Sequence, residues 1–194
     1  MSGDSERGGV DPSWPRPRRI LVIGASGSGK STAARLIAMK FVLTLVETDP
    51  FYWGPGWVPA RSHEVRMLAE RATDGAEWVL DGNFDELRDL VWARADAIVW
   101  LDYPTALILG RVVRRNLLWM LARSEVWSGN RMSLSRALSG IRHSARSIAV
   151  KRRKYPVWLS ELSDKECARI RTPEELPVWM ATAAARPLHG DTLQ

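Results

Sequence analysis

The sequence predicts an α/β protein in which a parallel sheet is covered by helices on both faces. Short apolar runs rich in β-branched residues alternate with helix-periodic stretches, the pattern of parallel strands joined by crossover helices. A glycine-rich octapeptide, GASGSGKS at 24–31, stands between the first such run and the first helix. Apolar runs also end at Asp49, Asp81 and Asp102, and in this architecture ligands gather at the carboxyl ends of the strands.

The elements follow in order. Residues 1–17, rich in Gly, Pro, Ser and charge, read as a disordered lead-in. Residues 20–23 are a short apolar run suited to a strand buried on both faces. The loop of 24–31 has the phosphate-binding spacing: Gly24, four residues, Gly29, Lys30, Ser31. Its glycines let successive N–H groups point inward at the start of a helix, where the dipole also favours an anion. Residues 32–39 are mostly good helix formers. Residues 41–49, FVLTLVETD, read as a second strand, followed by the turn-rich PFYWGPGWVPA with Trp53 and Trp57.

Further along, 62–74 read as a helix and 78–81, WVLD, as a third strand with Gly82 and Asn83 at its exit. Residues 85–93 suit a short helix, and 97–102, AIVWLD, a fourth strand closed by Pro104. From Thr105 to about Arg123 an amphipathic stretch sets Ile108, Val112, Leu117 and Leu121 against an arginine face. ECARI at 166–170 is a last strand, and Thr172, Pro173 and Glu175 form the start signature of a helix reaching about Ala185. The whole is read as one domain over 18–186, with a lid region at about 111–154 and a tail at 187–194, because 194 residues would crowd two domains.

Composition narrows the function. Cys167 is the only cysteine, which excludes an intrachain disulfide framework and a cysteine-cluster metal site and points to a reducing compartment. No stretch has the apolar length of a signal peptide core or a membrane span, so the expectation is a cytoplasmic protein without a membrane partner. His63, His143 and His189 lack metal-ligand spacing. The net charge of +6 is uneven: between Arg111 and Lys154 stand twelve Lys or Arg and one acid, Glu125. Such a field attracts polyanions, with nucleotide phosphates at one extreme and nucleic acid at the other.

The candidate site is built on the loop. Gly24, Ala25, Ser26, Gly27, Ser28, Gly29, Lys30, Ser31 and Thr32 would hold the phosphate tail of ATP, with Lys30 as a mobile charge and Ser31 within reach of Mg2+. Asp81, after a neighbouring strand, suits the metal shell, and Asp49 suits acceptor or metal work. Asp102, followed by Tyr-Pro-Thr, reads as a turn or helix cap. Arg111 and Arg115 are four apart and share a helix face, where an anion between them would relieve their repulsion. Arg142 and Arg146 repeat the spacing. Trp78 and Trp100 fall within strands and read as core, whereas Trp53 and Trp57 could wall an acceptor pocket or pack. Two functions remain open: transfer of the γ-phosphoryl group of Mg-ATP to a small acceptor bound near Asp49, Trp53, Trp57 and Asn83, and a nucleic-acid-binding ATPase or regulator using the basic block. A GTPase switch is disfavoured, since the Asn-Lys-x-Asp guanine-reading tetrad is absent.

GASGSGKST, TDPFYWGPGW, WVLDGNF, WARAD with IVWLDYP, GRVVRR and EVWSGNR together resemble the small P-loop kinases of the adenylate-kinase-like superfamily, most closely the DNA topology modulation protein group. The resemblance runs from about residue 19 to 131, and more loosely through RTPEELPVW. It implies a P-loop NTPase three-layer α/β/α fold with a helical, arginine-bearing lid, an acceptor region between strands two and three, and nucleoside- or nucleotide-kinase-type chemistry. It implies that Asp81 acts near magnesium, and that Arg111 and Arg115 match the lid-entry arginines that stack on adenine and touch its phosphates. The segment DGN stands where adenylate kinases have DGFPR, so their substrate-phosphate arginine has no counterpart here.

Overall fold

A computed structural model describes residues 14–48, 52, 56, 58–83, 85–122, 125–126 and 130–187. Five parallel strands form the sheet: β1 (Arg19–Gly24), β2 (Thr44–Glu47), β3 (Trp78–Asp81), β4 (Ala97–Leu101) and β7 (Glu166–Ile170), in the order β2-β3-β1-β4-β7. The strand order reverses at β1, which puts the sheet's ligand-binding crevice at that strand's carboxyl end, where the glycine loop begins. Two short strands, β5 (Glu125–Val126) and β6 (Asn130–Arg131), pair antiparallel outside the sheet.

The apolar residues of β1 divide between the two faces, as alternation along a strand requires. Ile20 and Val22 pack into a core with Ala33, Ile37 and Phe41 of α1 (Lys30–Phe41). Leu21 and Ile23 face the other way, toward Trp92, Trp100 and Tyr155. All four of these β1 residues are fully buried. Trp78 and Trp100 are core residues, as expected. Further α-helices among the described residues are α2 (Ser62–Ala72), α3 (Thr105–Leu121), α4 (Leu134–Ser160) and α5 (Glu175–Ala184). Helices on both faces of a parallel sheet make this the predicted three-layer α/β/α fold. No described helix is long and apolar enough to cross a membrane.

Three local readings change. The second strand is shorter than 41–49, because Phe41 closes α1, stacking on Trp179 at 5.9 Å, and Val42 ends the helix in the left-handed region. Residues 85–92 are helical, as expected, but not as a regular α-helix. A 3-10 turn at Asp85–Leu87 runs into a π turn at Arg88–Trp92, which seats Trp92 edge-on against Tyr155 and Trp158. Arg16, within the stretch expected to be disordered, donates to Phe41 O at 3.1 Å and lies over its ring, while residues 1–13 fall outside the described part.

Candidate active site

The glycine loop is held from outside by its carbonyl groups. Ala25 O accepts the Ser28 N–H at 3.1 Å and, at 3.4 Å, the ammonium of Lys30. Ser26 O accepts Ser144 Oγ of α4 at 2.5 Å, and Ser28 O accepts Arg111 Nη1 of α3 at 2.9 Å. Two of these carbonyls, Ser26 O and Ser28 O, are thus held by the surrounding helices, which anchors the loop backbone from outside. Gly27 sits at φ +85°, and a Cβ there would stand 2.3 Å from Val112 Cγ2, so α3 packs directly on the loop backbone. Gly29, at φ +93°, is the N-cap of α1, which has neither a side-chain cap nor an acid in its first turn. Uncapped N–H groups without a nearby carboxylate favour a bound anion.

Helices α3 and α4 pack on this loop. Arg111 reaches Ser28 O while its guanidinium lies 5.1 Å from the centre of the Tyr103 ring. Burial raises the Tyr103 hydroxyl pKa, with the Arg111 charge opposing. Arg115, one turn on, stacks over Trp119 at 4.8 Å. Buried Asn116 donates to Ala137 O at 3.4 Å and so joins α3 to α4.

The strand ends supply the carboxylates. Asp81 is buried at the end of β3, opposite Val22 of β1 and Glu47 of β2, and its carbonyl accepts Thr48 Oγ1 at 2.6 Å. Among the described residues no cluster of three or more His, Cys, Asp or Glu could hold a metal by itself. Magnesium beside a nucleotide needs few protein ligands, since phosphates and waters supply the rest, and Ser31 at the head of α1 with Asp81 on the adjacent strand is a donor set of that kind. Asn83, expected beside an acceptor, has its side-chain oxygen on the Gly24 N–H at 2.9 Å. Asp102 is not a cap: its carboxylate receives Arg152 Nε at 2.7 Å and Arg169 Nη2 at 2.5 Å. Asp49, Trp53 and Trp57 lie outside the described residues.

Sequence reasoning missed a cluster on α4. Lys151 donates to Tyr155 Oη at 2.6 Å, Tyr155 donates to Asp85 Oδ1 at 2.8 Å, and Lys154 pairs with Asp85 Oδ2 at 2.5 Å. The four-residue spacing of Lys151 and Tyr155 was legible, but the lysine was counted within a surface charge run, and nothing local announced that it is 8% exposed.

No family model matches the chain. Over 100 residues it is 30% identical to the uncharacterized protein YqaC of Bacillus subtilis (strain 168), a match covering 50% of this chain and 56% of that protein, so the chain spans little more than half of that curated relative. Among solved structures, a gluconokinase from Sinorhizobium meliloti 1021 superposes with a TM-score of 0.50 at 18% identity, over 88% of this chain and 91% of the gluconokinase. A sugar kinase from Janibacter sp. HTCC2649, solved without ligand, gives a TM-score of 0.46 at 22% identity, over 89% and 99% of the two chains. The fold is similar to that of the gluconokinase.

Proposed function

We propose that the protein is a phosphotransferase of the small-molecule type, moving the γ-phosphoryl group of Mg-ATP to an alcohol or phosphate oxygen of a small acceptor. The observation that carries this reading is the glycine-rich loop at 24–31, gripped by α3 and α4 and set at the switch point of the sheet. Such transfer asks for little covalent help from protein; it asks for positioning and charge neutralisation. Residues 24–32 would bind the phosphate tail, with Lys30 turning from Ala25 O to the phosphates. Ser31 and Asp81 would hold magnesium, which spreads the charge of the transferring group. Arg111, already on the loop, would neutralise charge and exclude water as α3 and α4 tighten, with Arg115 one turn behind it. Asp49, with Trp53 and Trp57, is proposed for the acceptor, where a carboxylate takes the proton from an attacking hydroxyl. Membership of the DNA topology modulation group belongs to this proposal as well, on the segments from GASGSGKST to EVWSGNR.

Nucleic acid is the weaker partner. Arg111, Lys151, Arg152 and Lys154 are turned into the protein on Ser28, Tyr155, Asp102 and Asp85, which takes four of the block's twelve charges from any surface field. The test is ADP release from Mg-ATP against a panel of nucleosides, nucleotides and small alcohols, comparing the wild type with Lys30→Ala. The expectation is acceptor-dependent release that vanishes in a folded Lys30→Ala protein. Unchanged turnover in that variant, or release stimulated by duplex DNA and by no small acceptor, would overturn the assignment.

A further inference from the structure

Lys151 belongs to neither the loop motif nor the lid-entry arginines. Ser144, Ile148, Lys151 and Tyr155 form the buried stripe of α4, and the first of them hydrogen-bonds Ser26 O of the loop. At the other end of the stripe Tyr155 binds Asp85, two residues after the Asn83 that clasps Gly24. Lys151 therefore lies between Ser144, bonded to the phosphate loop, and Tyr155, bonded to Asp85 beyond the exit of β3.

Its charge is incompletely answered. Asp85 Oδ2 is 3.7 Å from Lys151 but 2.5 Å from Lys154, so two ammoniums share one carboxylate and the trio keeps one positive charge in excess. Lys30 adds to that excess. Burial first, then Lys30 and Lys154 against the pull of Asp85, push the Lys151 pKa down to about 8. A desolvated ammonium without a full partner is unfavourable unless an anion arrives to complete it.

We propose that Lys151 is a second phosphate-binding ammonium of the glycine loop, meeting the terminal phosphate of the bound nucleoside triphosphate beside Lys30, with Tyr155 and Asp85 as the positioning residues that aim it. The terminal phosphate is the one concerned because a loop lysine reaches the β/γ end of the tail, and Lys151 lies two turns along the buried stripe of α4 from the Ser144 that holds Ser26 O of the same loop. The proposal rests on the nucleotide-binding reading above. A bound phosphate raises the Lys151 pKa, so affinity for the triphosphate is full below pH 8 and declines as pH rises above it. The charged and titratable groups facing Lys151 are Lys30, Lys154, Asp85 and Tyr155, and burial holds the Tyr155 hydroxyl far above its ordinary value, so it stays protonated throughout.

The test is calorimetric titration with Mg-ATP and Mg-ADP at pH 7 and pH 9, on the wild type, Lys151→Met, Lys151→Arg and Lys30→Ala. Methionine keeps the apolar stem and leaves Asp85 paired with Lys154, and thermal unfolding checks that the variant folds. Lys151→Met is expected to lose about ten- to a hundredfold in ATP affinity, the range of a charged hydrogen bond, and less than about threefold for ADP. The wild type's preference for ATP over ADP shrinks between pH 7 and pH 9, whereas that of Lys151→Arg does not, since a guanidinium stays charged. Equal losses for the two nucleotides, or none in Lys151→Met while Lys30→Ala loses binding, would overturn this proposal alone. Failure of the wild type to bind either nucleotide would overturn the loop assignment and this proposal with it.

Discussion

Asn83 Oδ1 accepts the main-chain N–H of Gly24 at 2.9 Å, tying the exit of β3 to the first residue of the glycine loop. The asparagine is itself fixed, because Trp92 Nε1 donates to its carbonyl at 2.8 Å from a fully buried position. The loop's first turn is thereby oriented by an element 59 residues away in sequence, before any ligand arrives. Preorganisation of this kind lowers the ordering cost of binding.

Asn83→Ala removes the acceptor, and the expected outcome is a stability loss of about 1–2 kcal/mol with weaker Mg-ATP binding. Asn83→Asp keeps an acceptor for Gly24 but adds a negative charge beside the phosphates. It should therefore unfold near the wild-type temperature and bind ATP more weakly than Asn83→Ala. Thermal unfolding and calorimetry on the pair separate the two effects, and an alanine variant unchanged in both would show that this bond does not set the loop.

Val42 ends α1 at φ +59°, the only described non-glycine residue in that region, with a β-branched side chain that is 83% exposed. Its conformation is strained while its side chain packs on little. Val42→Gly removes the Cβ clash of about 1–2 kcal/mol and gives back part of it as unfolded-state entropy, for a net gain of about 0.5–1 kcal/mol. In a domain of this size that raises Tm by about 1–4 °C. A calorimetric scan of the two proteins measures it, and a lower Tm for the glycine variant would contradict the strain.

The sheet was legible because strands buried on both faces must be continuous apolar runs, and 20–23, 78–80 and 97–101 read as such. The loop was legible because an anion nest restricts residue choice over eight consecutive positions. What could not be read were pairings that only the tertiary fold brings together. Asp102 looked like a turn residue because its partners, Arg152 and Arg169, lie 50 and 67 residues away. Lys151 looked like solvated charge because burial is a property of the helix packing, not of KRRK. Helix α4 itself was hidden by Pro156, which lies inside its last turns, where a proline ordinarily argues against helix. The second strand was read three residues too long at its start because Phe41 suits a strand and a helix end equally.

Asp102 makes the strongest case for a stability effect that reaches the site. Its nearly buried carboxylate takes Arg169 of β7 and Arg152 of α4, and Arg152 also donates to Thr105 Oγ1 at 2.9 Å and to Tyr103 O at 2.8 Å. One carboxylate thus joins the ends of β4 and β7 to the head of α3 and the middle of α4, next to Lys151. Asp102→Asn preserves size but leaves two guanidiniums facing each other without their counter-charge. Removing one partner of such a group destabilises by about 3–5 kcal/mol when burial is complete; here both arginines are about one-third exposed, which lowers the expectation to about 2–3 kcal/mol. Arg169 keeps its place over the Trp100 ring at 4.4 Å, so the loosened member is Arg152, and with it α4. Combining Asp102→Asn with Arg152→Met should therefore recover part of the loss, because the second change removes the uncompensated charge that the first creates. Urea unfolding of the two single variants and the double variant gives the coupling directly, and strict additivity would mean that Asp102 does not hold α4 through Arg152.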